Sequence, residues 1–200
     1  MSNLDKIEKI KILRETTNLG YLDCKNALEQ SSFDQTEALL LLRTQGKLVS
    51  DSKKERKVSE GRVSSYIHGD GRIGVLLQVD CESDFVAKNE HFKQFMIDFS
   101  LQIAATNPKF LDKTDVPNET LTKEQAYYRA QAESSKKPAN IVEKIVAGQL
   151  EKYFASNCLL QQQWVKDPTR KMQDLLHDMI QQTGENIRVT RFARFEAGSI

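Results

Sequence analysis

The sequence predicts an α+β protein, in which a small three-helix module precedes a core of helices packed on an antiparallel three-stranded sheet. Two observations lead to this fold class. Apolar residues recur at helical spacing in residues 4–46 and in several later segments. Two neighbouring segments beyond residue 60, and one near the end of the chain, are instead rich in β-branched and aromatic residues, as strands are. Helices packed on an antiparallel sheet are typical of α+β folds.

Residues 4–46 predict three short helices. The first should end near Gly20, and the second follows directly. Asp34 is the expected N-cap of the third helix, because Glu37 three residues later completes a pattern resembling a capping box. Gly46 is the expected C-terminal stop. The predicted N-terminal module therefore covers residues 1–46.

A charged segment follows the module. Residues 47–60 are dense in charge and poor in large apolar side chains, which predicts a linker that could be helical. The composition changes again at Gly61, and the predicted core domain covers residues 61–200.

The core begins with a predicted β-hairpin. Its strands flank Gly69-Asp70-Gly71, and apolar residues alternate along the second strand, so one face of that strand should point into the core. Gly69 to Gly74 also fits the glycine spacing of a dinucleotide-binding loop, but a strand follows where a helix is needed. We therefore interpret these glycines as turn residues. The segment NIRVTRFARFE near the end of the chain predicts a third strand that could pair with the hairpin.

Four helices are predicted between the hairpin and the last strand. Their expected starts are marked by Asn89, by Thr122 with Gln125, by Pro138, and by Asp167 with Pro168. Pro108 should end the first of them and Gly184 the last, while residues 107–121 should be irregular.

Composition excludes several classes of protein. Apolar residues make up 39% and charged residues 28% of the 200-residue chain, as in soluble globular proteins of one or two domains. The 29 basic and 28 acidic residues leave a charge of +1, whereas dedicated nucleic-acid binders are usually strongly basic, so we expect no direct nucleic-acid partner. No apolar run approaches the roughly 20 residues that cross a bilayer, so we expect no membrane partner.

The first residues bear on location. They have no apolar signal core and include Asp5 and Glu8, which a transit peptide would avoid. We expect a cytoplasmic protein, or one of the stroma or matrix if an organelle encodes it.

No catalytic constellation is evident, so we expect no enzyme. The histidines His68, His91 and His177 are remote from any nucleophile motif, and neither GxSxG nor HExxH occurs. The three cysteines, Cys24, Cys81 and Cys158, form no CxxC pair, and we interpret them as small buried packing residues rather than disulfides or zinc ligands.

The acidic run after the second strand raises the question of a metal. Asp80, Glu82 and Asp84 could share one side of an extended segment and hold Ca²⁺ or Mg²⁺. The spacing of an EF-hand loop is not met, because the sixth position is Phe85 and the twelfth is His91. We interpret these carboxylates as charges between a strand and a helix, and expect neither a metal nor a cofactor.

Phe85 is unusual for a junction between a strand and a helix, where polar residues are the rule. Its ring either packs into the protein's own core or protrudes into a partner. The residues alone favour the core, and protrusion remains the alternative.

Four segments resemble the translation elongation factor Ts family. They are LRETTNLGYLDCKNAL at residues 13–28, YIHGDGRIGVLLQVDCESDFVA within residues 61–87, KPANIVEKIVAGQLEKYF at residues 137–154, and IRVTRFARFEAG near the end of the chain. They occur in the family's order and span nearly the whole chain. By the same resemblance, the first module is similar to the ubiquitin-associated three-helix fold.

The resemblance implies a guanine-nucleotide exchange factor for elongation factor Tu. In the family, the N-terminal module docks on the partner's GTP-binding domain, and the contact positions fall on Lys11, Arg14, Tyr21 and Leu22. A Thr-Asp-Phe-Val segment disturbs the partner's Mg²⁺ site, and here it falls on Ser83, Asp84, Phe85 and Val86. Ser83 departs from the family's Thr but keeps the hydroxyl. The resemblance thus favours protrusion of Phe85.

The resemblance also bears on assembly. The sheet and C-terminal part contact a further domain of the partner in the family, and short members can pair as homodimers, so we expect a homodimer here. The alternative function is a protein-binding adaptor whose ubiquitin-associated-like module binds another protein without exchange activity. A metal-dependent enzyme using Asp80, Glu82 and Asp84 is a more distant alternative.

Overall fold

The computed structural model describes residues 3–17, 19–134 and 138–198. The helices are α1 (Asn3–Thr17), α2 (Tyr21–Gln30), α3 (Gln35–Lys53), α4 (Asp84–Lys88), α5 (Glu90–Thr106), α6 (Asn118–Glu133), α7 (Ala139–Asn157) and α8 (Met172–Thr183). The strands are β1 (Glu60–His68), β2 (Ile73–Cys81), β3 (Gln163–Trp164), β4 (Asp167–Lys171) and β5 (Ile187–Glu196). Short 3-10 turns lie at Lys113–Asp115 and Leu159–Gln161.

The main sheet is antiparallel and has the strand order β1-β2-β5, with helices packed on it. The predicted α+β class and the pairing of the last strand with the hairpin are therefore confirmed. β3 and β4 form a separate antiparallel pair that the sequence analysis did not predict. No helix among the described residues is long and apolar enough to cross a membrane.

The chain divides into two compact units. The first comprises residues 1–64, 78–96 and 174–190, and the second comprises residues 65–77, 97–173 and 191–200. These bounds differ from the predicted division at residues 46 and 60, which stays a prediction about functional modules.

Helices α1 to α3 pack around a small apolar core in the first unit. Its buried members are Ile10, Leu13, Leu19, Cys24, Ala27, Leu28, Ala38 and Leu42. Asp34 caps α3 as predicted, because its Oδ1 accepts a hydrogen bond of 2.8 Å from the backbone N–H of Glu37. The cap satisfies one of the free N–H groups at the helix start.

Gly46 does not end α3, and this prediction is wrong. The helix continues for seven residues to Lys53, so the predicted linker at residues 47–60 is helical in its first half. A Cβ atom at Gly46 would lie 2.7 Å from Oε1 of Gln181 and 4.0 Å from the carbonyl oxygen of His177, both on α8. The glycine therefore allows α8 to approach α3 closely, and its backbone remains helical.

The hairpin forms as predicted. Gly69 and Gly71 have φ values of +55° and +87°, which favour glycine, and the backbone N–H of Gly71 donates to the carbonyl of His68 over 3.1 Å. Along β2 the buried residues alternate, as the pattern predicted: Val75, Leu77, Val79 and Cys81. β2 is the central strand of the sheet, and its buried side chains face the core. It ends at Cys81, shortly before the segment Ser83 to Val86.

Two predicted helix starts are displaced in the second unit. Asp167 and Pro168 lie in β4, and Asp167 Oδ1 accepts hydrogen bonds from the N–H and hydroxyl of Thr169, at 3.1 and 2.7 Å. This carboxylate shapes a local turn, and α8 begins only at Met172. Thr122 lies inside α6, which begins at Asn118, and its hydroxyl donates to the carbonyl of Asn118 one turn earlier instead of capping the helix.

The other predicted helix limits agree with the structure. Asn89 Oδ1 accepts from the N–H of His91 over 2.7 Å at the start of α5, and this helix ends at Thr106, before Pro108. α7 begins directly after Pro138, and α8 ends at Thr183, before Gly184. The segment between α5 and α6 is not wholly irregular, since Asp112 and Asp115 form a reciprocal cap around a 3-10 turn.

Buried polar side chains fix the β3–β4 pair. Gln102 on α5 is fully buried, and its amide donates to Gln162 Oε1 over 3.0 Å and to the carbonyl of Gln163 over 3.1 Å. Its own oxygen accepts from the N–H of Val165 over 2.9 Å. Because each of these buried groups is paired, the contact orders the turn without the cost of an unsatisfied polar atom.

Gly61 on β1 leaves no room for a side chain beside the backbone of β2. We therefore expect Gly61→Ala to destabilise the protein. An added Cβ would lie 2.6 Å from the carbonyl oxygen of Val79 and 2.8 Å from the Cα of Asp80. Relief requires a backbone shift, so the free energy of unfolding in urea should fall by about 1–3 kcal/mol. Gly148→Ala is the control, since space is open beside this α7 glycine and the change should add about 1 kcal/mol of stability. Equal stability of Gly61→Ala and the wild type would contradict the clash.

Candidate functional site

The one-turn helix α4 follows the central strand of the sheet, β2. Cys81 ends β2, and its thiol donates to the carbonyl of Ser83 over 3.1 Å. Ser83 caps α4, with its hydroxyl oxygen 3.4 Å from the donating N–H of Val86. Ala87 is buried beneath the turn. The segment Ser83 to Val86 is thus attached at both ends to the fold.

Phe85 protrudes from this turn. Its residue surface is 83% exposed, whereas Phe92 and Phe99 on the next helix are completely buried. The interpretation that Phe85 packs into the protein's own core is therefore wrong, and the structure agrees with protrusion. An aromatic ring of this size gains about 1.5–3 kcal/mol when it is buried. The free protein forgoes that gain, which leaves it available to a partner.

Asp84 carries a negative charge beside the ring. Its carboxylate forms an ion pair of 2.6 Å with Lys88 one turn later, and both side chains are exposed. The hydrogen bond and the charge of Lys88 lower the pKa of Asp84, and the same contacts raise the pKa of Lys88. Asp84 is therefore ionised at neutral pH, and its charge is partly balanced by an exposed lysine.

The other acidic residues of this run are engaged separately. Asp80 accepts from the hydroxyl of Thr190 over 2.6 Å, and Glu82 lies 3.6 Å from the guanidinium of Arg56. Within the described part of the chain, no three His, Cys, Asp or Glu side chains come together as a metal site. The spacing that suggested a cation site in the sequence does not bring these carboxylates to one point.

Glu185 is a residue of this region that the sequence analysis did not identify. It follows α8, more than one hundred positions after Ser83, yet its carboxylate is hydrogen-bonded to the Ser83 hydroxyl over 2.6 Å. The contact could not be predicted from the sequence, because the two residues are far apart in the chain and neither belongs to a motif that pairs them.

The second predicted group lies on the N-terminal module. Lys11 and Arg14 are exposed on α1 and line a shallow depression of about 410 Å³ together with Glu15 and Leu19. Tyr21 and Leu22, at the start of α2, are 46% and 68% exposed. All four predicted contact residues are therefore accessible.

The cysteines are packing residues, as predicted. Cys24, Cys81 and Cys158 are free and fully buried. Burial raises the pKa of Cys24, and it raises those of Cys81 and Cys158 to about 11. The thiols are protonated at neutral pH and poor nucleophiles.

Comparison with known proteins identifies the class. The family model described as "Elongation factor TS" matches residues 6–199. Proteins named "Elongation factor Ts" include one from Caldanaerobacter subterraneus, 49% identical over 191 residues that cover 96% of both chains. Others are from Carboxydothermus hydrogenoformans, 48% identical over 96% of this chain and 88% of that protein, and from Thermotoga petrophila, 47% identical over 96% of both.

The protein is accordingly a translation elongation factor. The chain belongs to the elongation factor Ts family, as the four motifs indicated.

Proposed function

We propose that this protein is a guanine-nucleotide exchange factor for elongation factor Tu and acts in the cytoplasm by promoting GDP release. One observation supports the proposal above the others: Phe85 is 83% exposed on a turn that the fold holds at both ends. In the proposed complex, the segment Ser83 to Val86 enters next to the partner's Mg²⁺ site. The factor makes and breaks no covalent bond, so it is not an enzyme and requires no cofactor.

The proposed mechanism follows from thermodynamic reciprocity. A factor that binds the nucleotide-free GTPase more tightly than the GDP-bound form must weaken GDP binding by the same ratio. Asp84 places a negative charge beside the Mg²⁺–phosphate site, where it repels the phosphates and competes with them for the cation. Phe85 occupies space next to the same site. Both effects favour the form that has lost GDP.

One aromatic side chain is not sufficient for fast exchange. Accelerating GDP release by ~10⁴-fold takes about 5.5 kcal/mol, at about 1.4 kcal/mol for each factor of ten. Burial of one phenylalanine contributes about 1.5–3 kcal/mol. The remainder has to come from other contacts that form only with the nucleotide-free partner. We propose that the N-terminal module supplies docking affinity, through Lys11, Arg14, Tyr21 and Leu22.

Phe85→Ala tests the proposed role of the exposed ring. We expect the rate of GDP release from elongation factor Tu at saturating factor to fall by about tenfold or more, because the ring's burial is lost. Release is followed by chasing a fluorescent GDP analogue. Stability in urea should stay within about 0.5 kcal/mol of the wild type, because the ring is exposed in the free protein. Tyr127→Ala is the control, since Tyr127 is 62% exposed on α6 and is not assigned to the partner.

Two outcomes of the same assay count against the proposal. If wild-type protein binds elongation factor Tu but leaves GDP release unchanged, the protein is the adaptor without exchange activity. If wild-type protein accelerates release and Phe85→Ala does so equally well, the ring is not part of the mechanism.

Leu22→Ala tests docking through the N-terminal module. Leu22 is 68% exposed, and burying it against a partner would contribute equally before and during exchange. We expect KM for elongation factor Tu·GDP to rise by about tenfold with kcat unchanged. Leu40→Ala, on α3 and 65% exposed, should leave both constants unchanged. A change in kcat alone would argue against a docking role for Leu22.

We also propose that the protein is a homodimer, paired through the sheet. Ile67, Leu76 and Phe195 lie on β1, β2 and β5 and are 64%, 47% and 66% exposed. Each strand therefore offers an apolar side chain to a second copy.

The substitution Leu76→Lys tests this interface, because a lysine buried there would be unpaired and costly. In size-exclusion chromatography with light scattering, the wild type should have the mass of two chains and the variant that of one. Tyr127→Lys is the control and should remain a dimer. A monomeric wild type would exclude the homodimer.

A further inference from the structure

We infer that Glu185 is a positioning residue for nucleotide exchange: it holds the entry of α4 so that Phe85 and Asp84 meet the partner in one orientation. The inference rests on the proposed function and adds to it a residue that does not itself contact the partner. The supporting observation is that Glu185 forms hydrogen bonds with Glu82 and Ser83, the two residues before Asp84.

The carboxylate of Glu185 accepts three hydrogen bonds. Its Oε2 accepts from the backbone N–H of Glu82 over 3.1 Å and from that of Ser83 over 3.0 Å. Its Oε1 accepts from the hydroxyl of Ser83 over 2.6 Å. Both oxygens are used, so the carboxylate fixes the orientation of the Ser83 residue as well as its position.

The contact is reciprocal. While Glu185 accepts from the N–H of Glu82, the carboxylate of Glu82 accepts from the N–H of Asn186. Asn186 is buried, and its amide donates to the carbonyl oxygen of Arg56 over 2.8 Å and to that of Lys54 over 3.3 Å. Residues 82–83 and 185–186 thus bind each other and the chain just beyond α3.

Glu185 is itself held by the end of α8. Gly184 has φ +73°, and its N–H donates to the carbonyl of Ile180 over 3.0 Å, as at the C-terminal end of many helices. The N–H of Glu185 is 3.3 Å from the accepting hydroxyl of Thr183. The backbone that carries the carboxylate therefore belongs to a regular helix end.

α4 needs such support because it is short. A helix of five residues has no stability of its own, since isolated helices below about 12–15 residues are marginal in water. The hydroxyl oxygen of Ser83 accepts a hydrogen bond from the N–H of Val86, and the hydroxyl donates a hydrogen bond to Glu185. Without Glu185, the Ser83 hydroxyl loses the partner that orients it, and the turn that directs the Phe85 ring is held less firmly. Because the ring is proposed to act during nucleotide release, misplacing it should slow release more than it weakens docking.

Two substitutions distinguish the role of the Glu185 side chain's length from the role of its charge. Glu185→Asp keeps the charge but shortens the side chain by one methylene, so it cannot span both N–H groups and the Ser83 hydroxyl. Glu185→Gln keeps the length: its amide oxygen can accept from both N–H groups, and its NH₂ can donate to the hydroxyl. Glu185→Ala removes both properties. Glu151→Ala is the control, because Glu151 is also a carboxylate with two hydrogen bonds, from Lys113 at 2.9 and 2.8 Å.

The readouts are kcat and KM for GDP release from elongation factor Tu, and the amide hydrogen exchange of Val86 and Ala87 in the free protein. We expect Glu185→Asp and Glu185→Ala to lower kcat about tenfold with KM within about twofold of the wild type. Both should expose the Val86 and Ala87 amides to faster exchange. Glu185→Gln and Glu151→Ala should match the wild type in every measurement. If Glu185→Ala fails to fold, the Asp and Gln variants decide.

The inference is overturned if Glu185→Asp retains wild-type kcat and amide protection, or if Glu185→Gln loses as much as Glu185→Asp. It is also overturned if KM rises while kcat is unchanged. Failure of the proposed function is distinct from these results, because it appears as no acceleration of GDP release by the wild type. In that case the amide protection of Val86 and Ala87 still decides whether Glu185 holds the turn.

Discussion

The ring of Phe85 is exposed to water on a single helical turn, so the surrounding structure has to hold that turn in place. A phenylalanine in water forgoes about 1.5–3 kcal/mol of burial, and the single turn that carries it cannot be stable alone. The turn is therefore fixed by its ends, through the buried Ala87 on one side and the capping Ser83 on the other. The inner strand β2 and the end of α8 are rigid elements that supply these attachments.

The charges around this turn are arranged in separate pairs rather than in one field. Asp80, Glu82 and Asp84 each have a different partner, and within the described part of the chain they do not gather into a cation site. Only Asp84 is paired by an exposed lysine, and such surface pairs contribute about 0–1 kcal/mol. Its carboxylate can exchange Lys88 for a charge on a partner at little cost, whereas Glu82 is committed to the fold.

Local sequence patterns predicted structure well wherever the relevant contacts are also local. The caps at Asp34 and Asn89, the glycine turn of the hairpin and the alternation along β2 each depend on neighbours within a few residues, and each is present. Gly46 lies inside α3 where α8 packs closely against it, a contact that is remote in the sequence. Asp167 belongs to β4, which pairs with the short strand β3, and its carboxylate shapes a turn instead of capping a helix.

The sequence by itself determined the family and the α+β class, because motifs and periodicities lie in consecutive residues. It also predicts the residues of both contact groups. For Phe85, the residues at the junction favoured burial and the family resemblance favoured protrusion, and the packing around α4 leaves the ring in water. The tertiary structure alone joined Glu185 to Ser83. More than one hundred residues separate them along the chain, and folding of β2 against the segment after α8 brings them within hydrogen-bonding distance.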